Sequence, residues 1–194
     1  MRITAENIGK KFGKNWILRN LEIEVSSGDF MAITGPNGSG KSTLLQILSG
    51  YLSPSEGTLL HDGENPDPDK FKLISFSSPY IEVPEEMTLE EFLQFHSTFR
   101  VQKMSTSEIC ERSQLPGDKQ IIDFSTGMKQ RVQLCTAFYF ENEALFMDEP
   151  TSNLDEQGFG WWKKELDQRD KSVPLILASN QQREIVLSST NISL

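Results

Sequence analysis

Gly35-Pro36-Asn37-Gly38-Ser39-Gly40-Lys41-Ser42-Thr43 decides the reading of this chain. The stretch matches Gly-x-x-x-x-Gly-Lys-Ser/Thr, the pattern of a phosphate-binding loop. An apolar run, Phe30-Met31-Ala32-Ile33-Thr34, leads in as a strand, and Leu44-Leu45-Gln46-Ile47-Leu48 leads out as a helix. Both flanks matter to the chemistry. Glycines let successive backbone N–H groups turn inward around an anion. The helix that follows points its positive end at the same anion. Lys41 can reach β- and γ-phosphates, and the Ser42 hydroxyl can ligate Mg²⁺. A Gly/Ser-rich connector that binds nothing has no reason to satisfy every position and both flanks.

The 194 residues suit one domain with a sizeable core. The hydrophobic fraction is 37% and the charged fraction 24%, somewhat polar but globular. A net charge of −9 disfavours nucleic-acid backbones and anionic lipid surfaces as partners. It leaves room for a nucleotide, since a local nest of N–H groups and one lysine suffice. Cys110 and Cys135 are too few for a disulfide framework and read as free thiols of a reducing compartment. The sequence offers no signal-peptide pattern at Met1 and no apolar run of membrane-spanning length.

Outward from the loop, the segments alternate in kind. Leu21-Glu22-Ile23-Glu24-Val25 alternates apolar and acidic residues as a half-buried strand does. Gly50 and Pro54 stop the helix after the loop. Thr58-Leu59-Leu60 and Leu73-Ile74-Ser75-Phe76 read as short strands, and the acids of residues 62–69 lie in a turn-rich loop without the spacing of a calcium site. Residues 88–112 are mostly helix-forming. Thr88 with Glu91 offers a capping box, and Leu89, Phe92, Leu93 and Phe99 offer an apolar face. A helix is expected from Ser125 to about Phe140, with Met128, Val132, Cys135 and Tyr139 on one stripe. Ala144-Leu145-Phe146-Met147 and Leu175-Ile176-Leu177-Ala178 are continuous apolar runs, the pattern of parallel strands buried on both faces. A helix over residues 157–169 would join them. The alternation implies an α/β fold with a mainly parallel core sheet and a helical subdomain at about residues 80–125.

Phe146-Met147-Asp148-Glu149-Pro150-Thr151-Ser152-Asn153-Leu154-Asp155 supplies a second half to the site. A carboxylate at the end of a buried parallel strand lies at the crevice where such sheets bind ligands. Asp148 can hold Mg²⁺ through water, and Glu149 can orient the water that attacks a γ-phosphate. Alone, two such carboxylates are equally a solvated strand-to-turn junction; the phosphate loop upstream gives them a task. In Phe124-Ser125-Thr126-Gly127-Met128-Lys129-Gln130-Arg131, Ser125 and Gly127 at a helix start offer donors to an anion, although bare helix capping explains that stretch by itself.

Together, the three stretches give the chain a resemblance to the ATP-binding subunits of ABC transporters that runs from about residue 3 to the end. The resemblance implies a P-loop NTPase fold of the ABC ATPase type, one domain over residues 1–194, with an antiparallel β part beside the parallel core. Gly35 to Thr43 match the family's phosphate loop, Ser125-Thr126-Gly127-Met128-Lys129 is similar to its signature, and Asp148-Glu149 match the Mg-binding and catalytic pair. Ser152-Asn153-Leu154-Asp155 matches its D-loop. Phe12 falls where the family stacks an aromatic on adenine; an ordinary strand-edge aromatic is the other reading. By the resemblance, two ATPase subunits, alike or different, pair head to tail, with ATP and Mg²⁺ between one chain's phosphate loop and the other's signature. Separate transmembrane subunits would convert closure into transport, with this chain peripheral on the cytoplasmic face. The Gly127-Met128-Lys129-Gln130-Arg131 variant looks more like the exporter type.

Two family residues are absent. Ser78 or Pro79 stands where the family has a glutamine, and Asn180 stands at the switch histidine. Asparagine can hydrogen-bond a γ-phosphate but cannot carry a proton's charge. The expected activity is therefore ATP hydrolysis, slowed. The alternative is a low-turnover, nucleotide-gated module paired with a competent sister ATPase. A small-substrate kinase is disfavoured by the signature and D-loop. Trp161-Trp162 could mark a partner surface or pack inward, and Glu82, Glu85, Glu86, Glu90 and Glu91 could be a solvated helix face or lie where the family meets its membrane subunit.

Overall fold

The computed structural model describes residues 1–194. In chain order the strands and helices are β1 (Ile3–Phe12), β2 (Asn15–Val25), β3 (Phe30–Thr34), α1 (Lys41–Leu48), β4 (Glu56–His61), β5 (Ile74–Ser77), α2 (Leu89–Ser97), α3 (Thr106–Ser113), α4 (Thr126–Phe138), β6 (Ala144–Asp148), α5 (Glu156–Gln168), β7 (Leu175–Ala178), α6 (Gln182–Ile185) and β8 (Thr190–Ser193). They fall into two compact units: residues 1–76, 143–148 and 171–194, and residues 77–142 and 149–170.

The first unit holds both sheets. One is antiparallel, in the order β2-β1-β4; the other runs β5-β6-β7-β3-β8. In the latter, β6 pairs parallel with β7, and β3 pairs parallel with β7 and β8. Every residue of β6 and β7 is buried, which is why their sequences are unbroken apolar runs. The second half of β2 alternates, because one face meets the core and the other meets water. Asn7 and Asn20 adopt positive φ (51° each), a conformation asparagine tolerates, and the β1–β2 register shifts between Ala5 and Ile8. α1 turns Leu44, Leu45, Ile47 and Leu48 into the core, each fully buried. Burial of that kind stabilises by about 1.5–3 kcal/mol per side chain relative to exposure. Gly50, at φ 83°, ends the helix as its sequence implies.

The second unit is helical. Thr88 and Glu91 form the expected capping box on α2: Glu91 N donates to Thr88 Oγ1, and Thr88 N donates to the Glu91 carboxylate. Ser105 and Glu108 form a second box on α3. The helix-forming stretch 88–112 is thus two helices. The chain between them is taken up by backbone bonds to the segment after α4, Lys103 N to Tyr139 O (2.9 Å) and Glu141 N to Val101 O (2.9 Å). Phe99 consequently lies beyond the end of α2 and is 60% exposed, whereas Leu89, Phe92 and Leu93 form the buried face. On α4, Val132 and Cys135 are buried, as is Tyr139 just beyond it, and Met128 is half-buried. Trp161 and Trp162 are both buried, so they are not a partner surface. The Trp161 Nε1 donates to Arg112 O at 2.8 Å, and its ring meets Phe138 edge-on. Glu82, Glu85 and Glu86 precede α2 rather than line it, and Glu85 pairs with Lys129 at 2.6 Å.

Candidate functional site

Three glycines shape the turn after β3. Gly35, Gly38 and Gly40 have φ of 142°, 82° and 102°, values that L side chains rarely adopt. At two of them the space is closed as well. A Cβ on Gly35 would stand 2.8 Å from Ser39 Oγ and from Leu194 O, and one on Gly40 would stand 2.8 Å from Ile17 and 2.9 Å from Leu18. Ser39 N closes the turn onto Pro36 O at 3.2 Å. α1 then starts at Lys41 with no side-chain cap and no acid in its first turn, so its leading amides keep their positive end uncovered. Lys41 is 5% exposed, and its ammonium donates to the carbonyls of Gly35 (3.0 Å) and Pro36 (3.1 Å). Ser39 Oγ is buried without a hydrogen-bond partner. A buried cation, an orphaned hydroxyl and uncapped amides on one loop fit a polyphosphate.

Asp148 is the last residue of β6 and is 2% exposed. It stands in register with Ala178 of β7, which stands in register with Ile33 of β3. The row of strand ends therefore joins Asp148 to the base of the phosphate loop with one strand between. Two residues past Ala178, Asn180 reaches the loop itself: its Nδ2 donates to Asn37 Oδ1 at 3.0 Å. Ser42 follows Lys41 on the first turn of α1 and is half-buried, as is Thr43. Ser42 and Asp148 offer the hard oxygen donors that Mg²⁺ prefers. Glu149 takes φ 44° directly after Asp148. Phe12, at the tip of the β1–β2 hairpin, is 53% exposed with Lys10 Nζ 5.3 Å from its ring centre.

Ser125 and Gly127 belong to the second unit. Ser125 caps α4, its Oγ accepting from Met128 N at 3.3 Å, and α4 carries no acid in its first turn. Gly127 lies hard against the D-loop: a Cβ there would be 2.8 Å from Asn153 O. Asp155 caps α5 by accepting from Gly158 N at 2.7 Å. Ser78 is 5% exposed, and its Oγ accepts from Tyr80 N at 3.4 Å. Sequence reasoning missed the Asn37–Asn180 bond and the Gly127–Asn153 contact, because neither spacing nor composition reports which loops meet.

The ABC transporter family profile matches residues 18–152. The chain belongs to the ABC transporter family. It is an ABC-type ATP-binding subunit with the P-loop fold of ABC ATPase cassettes. It is 30% identical over 202 residues to an uncharacterised ABC transporter ATP-binding protein, YybJ, of Bacillus subtilis, covering 99% of this chain and 91% of that one. It is 30% identical over 200 residues to a sulfate/thiosulfate import ATP-binding protein of Mesostigma viride, covering 97% of this chain. This chain spans only 58% of that relative's length, and 41% of a ribose import ATP-binding protein of Streptococcus agalactiae. In fold it matches a dimeric ATP-binding cassette solved in a post-hydrolysis state with ADP and Pi, with a TM-score of 0.85, 22% identity, and coverage of 99% of this chain and 94% of that one. No helix is long and apolar enough to cross a membrane.

Proposed function

We propose that this ABC-type subunit is one ATPase domain that binds and hydrolyses ATP as half of a head-to-tail dimer and powers separate transmembrane subunits from the cytoplasmic face. The observation that carries the reading is the phosphate loop itself: uncapped α1 amides, buried Lys41 and orphaned Ser39 Oγ, with Asp148 at the end of the same sheet. Lys41 and the backbone amides of residues 37–43 bind and orient the phosphates, and Phe12 offers its exposed ring to the base. Ser42 and Asp148 would hold Mg²⁺, which when bound neutralises charge on the phosphate oxygens. Glu149 accepts the proton of the attacking water, and Asn180 donates to the γ-phosphate or to the loop around it. Ser125 and Gly127, at the positive end of α4, would complete the partner chain's site.

The test is Mg-ATP turnover of the purified chain over a range of protein concentrations, beside Glu149→Gln. Turnover rising faster than linearly, abolished in the variant while ATP binding survives, is the expected result. Turnover at the parent rate in Glu149→Gln would remove the role given to Glu149. The nucleotide-gated module is favoured only by Ser78, Pro79 and Asn180, and is supported if Asn180→His gains no turnover while ATP still drives dimerisation.

A further inference from the structure

The β1–β2 hairpin carries charge opposite to that of the whole chain. Residues 10–19 hold Lys10, Lys11, Lys14 and Arg19 and no acid, in a chain whose net charge is −9. Lys10 is occupied, donating to Ser53 O at 2.6 Å and lying over Phe12. The other three make no ion pair. A bulge decides where they point. Lys10 stands against Leu18 and Lys11 against Trp16, which leaves Ile17 as the extra residue of β2. Ile17 and Leu18 both turn towards Gly40 of the phosphate loop. Trp16 turns to the other face, where its ring reaches within 3.0 Å of the place a Cβ on Gly9 would take. That face is the outer one, since Ile8, the neighbour of Gly9, is fully buried in the core.

On the Trp16 ring two cations meet: the Arg19 guanidinium stands 4.6 Å from its centre and Lys11 Nζ 5.3 Å. A guanidinium stacked on an aromatic has its fork already oriented for a carboxylate. Glu56 reaches the same face beside Gly9 and pairs with neither cation. β2 is also the outer strand of its sheet, and no backbone group of residues 15–19 bonds outside that sheet. Such an edge accepts a further strand.

We propose that this hairpin binds an acidic, extended peptide segment of a partner protein as an added strand on β2. The backbone of the segment would pair with residues 15–19, and its carboxylates would meet Arg19, Lys11 and Lys14. A second copy of this chain is a poorer occupant through its own β2, because Glu22 already accepts from Asn7 N and Glu24 already pairs with Arg2. A nucleic acid is disfavoured by the net charge. The inference goes beyond ATP hydrolysis and stands or falls separately from it.

The probe is a fluorescein-labelled peptide of about twelve residues, alternating glutamate and threonine, titrated by anisotropy against the full chain at about 0.15 M salt with saturating Mg-ADP. Saturable binding at one site is expected, and the unlabelled peptide should shift tryptophan emission. Trp16 is the half-buried tryptophan, whereas Trp161 and Trp162 are buried in the second unit, so Trp16→Phe should abolish the shift. Lys11→Gln with Arg19→Gln should weaken binding about fivefold or more. An equal change of charge at Lys163→Gln with Lys164→Gln, exposed on α5, should weaken it less than about twofold. The same peptide with alternate backbone amides N-methylated should bind about fivefold more weakly or worse, since it cannot pair along an edge. Absence of binding, equal weakening by both cation pairs, indifference to N-methylation, or an emission shift that survives Trp16→Phe overturns the proposal. Displacement by ADP would place the peptide on the phosphate loop and overturn it too. So would self-association by sedimentation that vanishes with Arg19→Gln, or tighter binding of a uridine homo-oligonucleotide at the same residues. ATP turnover measured on the same proteins separates this result from the hydrolysis reading: the hairpin can bind in a chain that does not hydrolyse, and the reverse.

Discussion

Gly127→Ala tests how the signature turn is built. Its added Cβ would lie 2.8 Å from the Asn153 carbonyl oxygen, backbone against backbone. An ordinary carbon–oxygen contact begins near 3.4 Å, so the start of α4 and the loop after β6 must part by about 0.6 Å. Overpacking of that kind costs about 1–3 kcal/mol. Alanine in place of glycine on a helix returns up to about 1 kcal/mol. The net expectation is a destabilisation near 1 kcal/mol, or a fall of about 0.5 M in the urea midpoint for a slope near 2 kcal/mol/M. Function should suffer more. Asn153 follows the turn closed by Ser152 N on Glu149 O (3.2 Å), so a displaced Asn153 displaces Glu149. Misplacing a catalytic group by about half an ångström costs about tenfold in rate. The assays are urea unfolding, ATP affinity and ATP turnover. Turnover should drop about tenfold with ATP affinity of the chain's own phosphate loop unchanged. A variant that is more stable by about 1 kcal/mol with parent turnover would show that helix propensity alone governs Gly127, and the steric argument would fail.

Lys41→Ala removes a buried ammonium and should weaken ATP binding about 100-fold, roughly 3 kcal/mol, with folding little changed; isothermal titration and thermal melting would check both. Asn180→His should add an inflection near pH 6.5 to the turnover profile, since imidazole titrates there and the native amide does not. Identical profiles would mean residue 180 does not touch the reaction. Burial, with a smaller push from Arg100, lowers the His96 imidazole to about 4. Because its folded value lies below the unfolded one, its contribution to stability is whole above about pH 6.5 and declines as pH falls toward 4. His96→Phe, which keeps a ring against Phe140 (4.6 Å), should flatten that stretch of the urea-midpoint profile.

The parallel core was legible because burial on both faces leaves one kind of sequence: the runs at Ala144 and Leu175 could be little else. The phosphate loop was legible because three backbone positions demand glycine and the flanks demand a strand and a helix. The break after α2 was not. Phe99 keeps helical spacing with Phe92, and what unwinds the chain is a set of backbone bonds to residues about 35–40 positions away. The Ser105–Glu108 box was written in the sequence, but a stretch read only as mostly helix-forming gave no reason to look for a second helix start within it. Asn180 was found only through resemblance. Its bond to Asn37 spans 143 residues of sequence, and no local pattern encodes such a meeting.

Glu149 sits in the left-handed region at φ 44°, between a buried aspartate and Pro150. Glycine would rest there without penalty, whereas glutamate gives up about 1–2 kcal/mol to occupy it. Under the proposed function, folding and chemistry ask for different residues at this one position, and the residue present is the one that function asks for. A lineage released from hydrolysis would be free to drift toward glycine or asparagine there and would become sturdier as it fell silent. On the role proposed for Glu149, the conformation of one backbone bond becomes a mark of use, since a carboxylate that activates water is what would offset that local discomfort.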